Sequence, residues 1–377
     1  MPDSPLPAPP ASEADLLLWL RLIRSRRVGP GTFRRLMAEH GGARAALDAL
    51  PEVARKAGVR DYTPCTAEVA QAEIKAGQAL GARLLCLGSD AYPPLLARLP
   101  DAPPCLWVMG DAGLLRRDSV ALVGARNASS LGTRMARALA RDLGAAGQAV
   151  VSGLARGIDA AAHQAALESG TVAVMAGGIG QVYPRQNDGL ARDIGKAGAL
   201  ISEMPPRLAP QARHFPRRNR LIAGLSRAVV VVEGAAKSGS LITAREAADL
   251  GREVLAVPGH PMDARAAGCN MLIRDGATLV RSGRDVMAAL DLPAEAPAMA
   301  PADPETPPSA PPPRAGRAEA LALGRRILSL LGPAPVPEDQ LIRDLGRPAQ
   351  EVSGQLVALE LEGKLQRHAG GRLSRRP

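Results

Sequence analysis

The pattern that most constrains this chain is a series of short apolar runs, each closed by glycine or serine and followed by helical spacing. Val120-Ala121-Leu122-Val123 ends at Gly124 and precedes a helix through residues 135–143. Ala149-Val150-Val151 ends at Ser152-Gly153 before a helix over 159–167, and Val172-Ala173-Val174-Met175 ends at Ala176-Gly177-Gly178. Runs at 199–201, 228–232, 254–257 and 278–280 continue the series. Strands apolar on both faces that alternate with helices make a parallel sheet covered on both sides. The expected fold class is α/β, with an extended Rossmann-like parallel sheet over residues 81–290. Ligands of such sheets bind at the carboxyl ends of the strands, so the loops there carry the chemistry.

The flanks differ in composition. Residues 1–12 are Pro-rich and read as a disordered leader. Residues 13–80 read as a helical domain, in which Val28-Gly29-Pro30-Gly31-Thr32 separates two apolar helices. That turn fits a helix-hairpin-helix (SAM-like) module facing a DNA backbone, with Arg24, Arg26, Arg27, Arg34 and Arg35 nearby, and fits an ordinary αα turn equally well. Residues 291–316 are Ala/Pro-rich without periodicity and read as a linker. Residues 317–377 give three helices and a glycine-turned hairpin, a winged-helix-like domain whose third helix carries Glu351, Glu360 and Glu362 rather than basic residues.

Lys plus Arg outnumber Asp plus Glu by 47 to 37, for a formal charge of +10, which favours polyanionic partners. The four cysteines lack C-x-x-C spacing, so neither a zinc site nor a disulfide framework follows. Without a signal-peptide pattern or an apolar run of ~18 residues, a cytoplasmic protein is expected.

Three strand-end loops suit anions. Gly124-Ala125-Arg126 opens a helix but is not G-x-G-x-x-G, because Arg126 stands at the second glycine. No acidic residue closes the second strand to hold a ribose, so a nicotinamide dehydrogenase is disfavoured; amides at the helix start still suit a phosphate. Ser152-Gly153-Leu154-Ala155-Arg156-Gly157 forms the second loop, with two glycines placed for an anion nest. Asp159 is placed to cap the next helix, and His163 reads as a helix-face residue rather than a base. Ser238-Gly239-Ser240 forms the third loop; Thr243 and Glu246 have capping-box spacing, and no P-loop is present.

A fourth element is Arg213-His214-Phe215-Pro216-Arg217-Arg218-Asn219-Arg220, four guanidinium groups around one of only two phenylalanines. Guanidinium forks match phosphate oxygens, and an aromatic face stacks an unpaired base. Several anion sites on one rim suit a polymer, and the lack of duplex-reading elements points to single strands.

The stretches 152–163, 215–226 and 238–244, with Pro258-Gly259 and 272–277, closely resemble the bacterial DNA-processing protein A (DprA, also called Smf) family. The resemblance covers roughly residues 82–290. It implies a homodimeric, single-stranded DNA-binding protein that contacts the RecA recombinase and loads it onto DNA imported during natural transformation. It implies no catalytic residue, metal or cofactor. Its DNA contacts would fall on Gly124, Arg126, Ser152, Gly153 and the tract, with Phe215 stacking a base and Arg217, Arg218 and Arg220 on phosphates. Arg126 and Arg217 rank above Arg220, which could instead be buried in loop-fixing bonds. Arg156, Gly157, Ser238, Gly239 and Ser240 complete the candidate set. Two positions depart from the family pattern, Ala125 for serine and Gly234 for alanine. The competing expectations are a nucleotide phosphoribohydrolase using Glu233 or Glu246, and a duplex-binding regulator acting through the winged helix.

Overall fold

The computed structural model describes residues 6–292, 317–368 and 370–376; from residue 293 the expected linker lies outside them. The N-terminal helices are α1 (Glu13–Arg24), α2 (Pro30–His40), α3 (Ala43–Lys56) and α4 (Ala67–Ala79). Ser12 caps α1 by accepting the Asp15 amide at 3.1 Å, and Pro30 opens α2 at a position where its missing N–H costs nothing. Residues 6–12 lead into α1 without helix or strand.

The central sheet follows the order β1-β2-β6-β5-β4-β3-β7-β8-β9. Its strands are β1 (Arg83–Cys86), β2 (Cys105–Gly110), β3 (Ser119–Gly124), β4 (Ala149–Ser152), β5 (Thr171–Val174), β6 (Ala199–Ser202), β7 (Ala228–Glu233), β8 (Glu253–Ala256) and β9 (Thr278–Leu279). Neighbours from β6 to β9 are all parallel, whereas β2 runs antiparallel to β6 and β1 to β2. The expected parallel sheet is thus extended at that edge by two antiparallel strands, which make it mixed.

Strand residues alternate between two cores. Ala121, Val123, Val229 and Val231 face α5 (Pro94–Ala97), α9 (His214–Leu225), α10 (Ser240–Asp249) and α11 (Ala267–Arg274). Val120, Leu122, Val230 and Val232 face α6 (Ser130–Ala145), α7 (Ile158–Ala165) and α12 (Gly283–Ala289). The same face continues under α8 (Asp188–Ala197) through Ala173, Leu200 and Ile194. Chain order runs outward from β3 in one direction and from β7 in the other, so their carboxyl ends form the topological switch point.

The N-terminal helices share the first of these cores. Arg24 forks onto Glu73 and also donates to the Glu203 carbonyl at 3.1 Å, and Trp107 Nε1 donates to Glu73 at 3.0 Å. Arg34 donates to the carbonyls of Leu99 (2.9 Å) and Pro100 (3.1 Å). These two arginines fasten the domain to the sheet and are not free for a DNA backbone.

The C-terminal unit has its own core. It comprises α13 (Arg317–Leu330), β10 (Val336–Pro337), α14 (Glu338–Leu345), α15 (Ala349–Leu361), β11 (Leu365–His368) and β12 (Arg372–Arg375), with strand order β10-β12-β11. Helices followed by a wing match the winged-helix expectation.

Candidate nucleic-acid interface

The basic tract is not a loop. It is the start of α9, with Arg213 as N-cap, His214, Phe215 and Pro216 in the first turn, and Arg217 to Arg220 in the second. Proline is tolerated there because first-turn amides have no partner within the helix. Helical periodicity then divides the arginines. Arg217 is exposed, with its Nε 3.1 Å from Glu203 Oε1. Arg218 is buried and donates to the Val174 carbonyl at 2.7 Å. Burial lowers its pKa to about 10, with Asp159 opposing the shift. Arg220 is buried too, paired with Glu203 and 3.2 Å from Asp101 Oδ2. Arg218 and Arg220, both expected on phosphates, are thus buried with their guanidiniums bonded to groups of the protein itself.

Phe215 is half-buried at the rim, its ring 5.7 Å from that of Tyr183 in an edge-on arrangement. The exposed Arg126 places its guanidinium 5.1 Å from the Phe215 ring centre. The first strand-end loop and the tract therefore meet. A small pocket lies beside them, lined by Gly153, Met175, Gly177, Gln181, Tyr183 and Phe215. Sequence reasoning missed Tyr183, although a tyrosine before Pro184, after the third strand, was a visible signal.

The first two anion-seeking loops are already filled, and by the protein's own carboxylates. Glu233, at the end of β7, accepts the Ser129 amide (3.0 Å) and hydroxyl (2.9 Å) at the start of α6. A Cβ on Gly132 would lie 1.8 Å from Glu233 Oε2, so the helix start is shaped around that carboxylate. Burial raises the Glu233 pKa, while the Ser129 amide and Arg265 act in the opposite sense. The site where a Rossmann protein would hold a pyrophosphate is thus occupied, which corrects the expectation of free amides there. Glu233, one of the glutamates of the competing phosphoribohydrolase expectation, holds the start of α6 through these bonds.

Asp159 fills the second loop. It does not cap α7, whose N-cap is Gly157; it accepts the amides of Gly153 (3.1 Å) and Ala155 (3.4 Å). His163 Nε2 accepts the Leu154 amide at 3.3 Å, and its Nδ1 lies 2.7 Å from the Thr171 hydroxyl. Thr171 donates onward to the Val150 carbonyl at 2.8 Å, which assigns the neutral Nδ1–H tautomer. Burial, then Arg218, lowers the His163 pKa to about 3. Leu154 sits at φ 54°, a strained conformation for a branched side chain, held further by Asn187 Nδ2 on its carbonyl at 2.9 Å.

The glycines of this loop serve close packing rather than a nest. A Cβ on Gly153 would meet Arg218 Nη1 at 1.8 Å, and one on Gly157 would meet the Ala125 carbonyl at 2.2 Å. Gly124 is similarly pressed by Ile158 and the Glu233 carbonyl. The Ser152 hydroxyl is buried and donates to the Leu122 carbonyl at 2.6 Å, which removes it as an anion donor. Arg156 is exposed.

The third loop is more open. Lys237 and Gly239 are exposed, Ser238 is half-buried with its hydroxyl 2.8 Å from that of the buried Ser240, and α10 has no side-chain cap. Thr243 lies inside α10 and is buried, so the capping-box reading fails. The winged helix touches the rim beyond this loop. Arg265 bridges Glu233 and donates to the carbonyls of Ser329 (2.8 Å) and Leu331 (3.0 Å), and Ser130 bonds Asp344.

Comparison with known proteins agrees with this architecture. The family model described as DNA recombination-mediator protein A matches residues 83–291. A DprA-like N-terminal HHH domain matches 13–76, and a DprA winged helix domain matches 297–371. Protein Smf of Escherichia coli is 37% identical over 296 residues, 76% of this chain and 76% of that protein. The DNA processing protein DprA of Bacillus subtilis is 42% identical over 213 residues, 56% of this chain and 72% of that protein. The X-ray structure of DprA from Streptococcus pneumoniae superposes with TM-score 0.55 at 38% identity, covering 63% of this chain and 86% of that one. The Helicobacter pylori protein, described for its single-stranded DNA binding mode, gives TM-score 0.51 at 28% identity, covering 56% of this chain and 97% of that one. The chain therefore belongs to the DNA recombination-mediator protein A (DprA/Smf) family.

Proposed function

We propose that this chain is a non-enzymatic single-stranded DNA-binding protein whose bound strand lies along the wall formed by Arg126, Phe215, Tyr183 and Arg217. The observation that carries the reading is an exposed guanidinium over a rim aromatic, beside a pocket at the carboxyl ends of β4 and β5. A base stacks on the aromatic pair while Arg126, Arg156, Arg217 and Lys237 take phosphates. Two of the carboxylates at the strand ends, Glu233 and Asp159, are bonded to loop amides, which supports binding rather than hydrolysis. Family membership supports protection of incoming DNA and RecA loading during natural transformation, by a cytoplasmic homodimer. Among the described residues, no helix is long and apolar enough to cross a membrane.

Fluorescence anisotropy of a labelled oligothymidine against a duplex of equal length, each with and without RecA, tests the proposal. Preference for the single strand and faster RecA filament growth are expected. Equal affinity for the duplex, or base release from nucleoside monophosphates, would overturn it.

A further inference from the structure

Helix α6 carries Arg134, Arg137 and Arg141, a spacing of i, i+3 and i+7 that sets all three along one side of the helix. Arg134 and Arg141 are exposed and Arg137 is half-buried. Among the described residues, none of the three has an ion-pair or side-chain hydrogen-bond partner. On α2 and α3, by contrast, Arg35 pairs with Glu39 and Arg55 with Glu52 along the same helix. Asp142 is the carboxylate of α6, and it is occupied by the Gly283 amide at 3.1 Å. Like charges at this spacing repel, so the helix carries a row of cations that its own fold leaves unneutralised.

The position of the row gives it a use. Helix α6 starts at Ser130, just after Arg126, and runs back across the sheet from the rim. At 1.5 Å per residue the row extends to about 16 Å from the helix start. Leu131, 41% exposed, lies between the rim and Arg134. We infer that Arg134, Arg137 and Arg141 form a phosphate track for the part of a DNA strand that leaves the Arg126–Phe215 wall. The track extends the binding site proposed above, and rests on it.

The test uses the full chain with all three arginines changed to Gln, and labelled oligothymidines of about 6 and about 20 nucleotides, one within a single binding groove and one longer. The short strand should bind the variant as it binds the wild type. The long strand should bind about tenfold more weakly at low salt, with its log–log salt slope reduced by about 2, or 0.7 for each lost contact. A triple Lys variant should restore most of the slope. An unchanged long-strand slope, or equal weakening of both lengths, would overturn the track. Wild-type protein that binds neither strand would instead overturn the underlying site.

Discussion

The two halves of the rim solve opposite problems with the same residue types. At the starts of α6 and α7, amides that look free in the sequence are held by Glu233 and Asp159. Across the rim, Arg126, Phe215, Tyr183 and Arg217 keep surface that no side chain of the protein covers fully. The filled half ties its loops down with internal bonds, and the open half is where we propose that DNA binds. An anion-seeking pattern therefore identifies a charge requirement, and the structure decides whether the protein or a ligand meets it. The same division runs through α9, where Arg217 and Arg218 are neighbours with opposite fates.

If the division is right, changes in the filled half cost stability and changes in the open half cost affinity. The largest effect is expected for Arg218→Met, which leaves the buried Val174 carbonyl without its donor and Asp159 without a nearby positive charge, and should cost about 3 kcal/mol. Denaturant unfolding would show a lower midpoint at unchanged m-value. An unshifted midpoint with weakened DNA binding would reverse the assignment. Phe215→Ala should leave the midpoint nearly unchanged and weaken single-strand binding by about 1–3 kcal/mol, roughly 5- to 150-fold. Smaller again, Arg126→Ala and Arg217→Ala should each lower the salt slope by about 0.7, read from anisotropy at several salt concentrations.

The pH dependence sharpens the filled half alone. His163 titrates near 6.5 when unfolded and at about 3 when folded. Below pH 6.5 the unfolded chain takes up a proton that the native state refuses, so stability falls as pH drops through that window. The slope approaches about 1.4 kcal/mol per pH unit for this one group. His163→Asn should remove that component in urea midpoints measured between pH 7 and 4. A variant with the wild-type slope would show that His163 is not buried neutral.

Much of this was legible beforehand. Apolar runs ending in glycine located β3, β4 and β5, and the rarity of phenylalanine marked Phe215. The antiparallel edge was not legible, because proline turns separate β1 from β2 and no long helix follows either strand. Nor were the true partners of the loops. Glu233 lies 104 residues from Ser129, a separation that no local spacing encodes. Asp159 was misread because a carboxylate at a helix start ordinarily caps it, whereas here the loop folds back onto the acid. The helical division of the tract was not legible either, because Pro216 in its middle hides a helix start, although a first-turn proline is compatible with a helix.

The most direct test of the open wall is photo-crosslinking of a halogenated single-stranded oligonucleotide to the full chain, with the adducts mapped by mass spectrometry. The predicted result is crosslinking at Phe215 and Tyr183 that an unlabelled single strand competes away. Crosslinks confined to α15 or to the α1–α2 turn, with none at these two rings, would contradict the account.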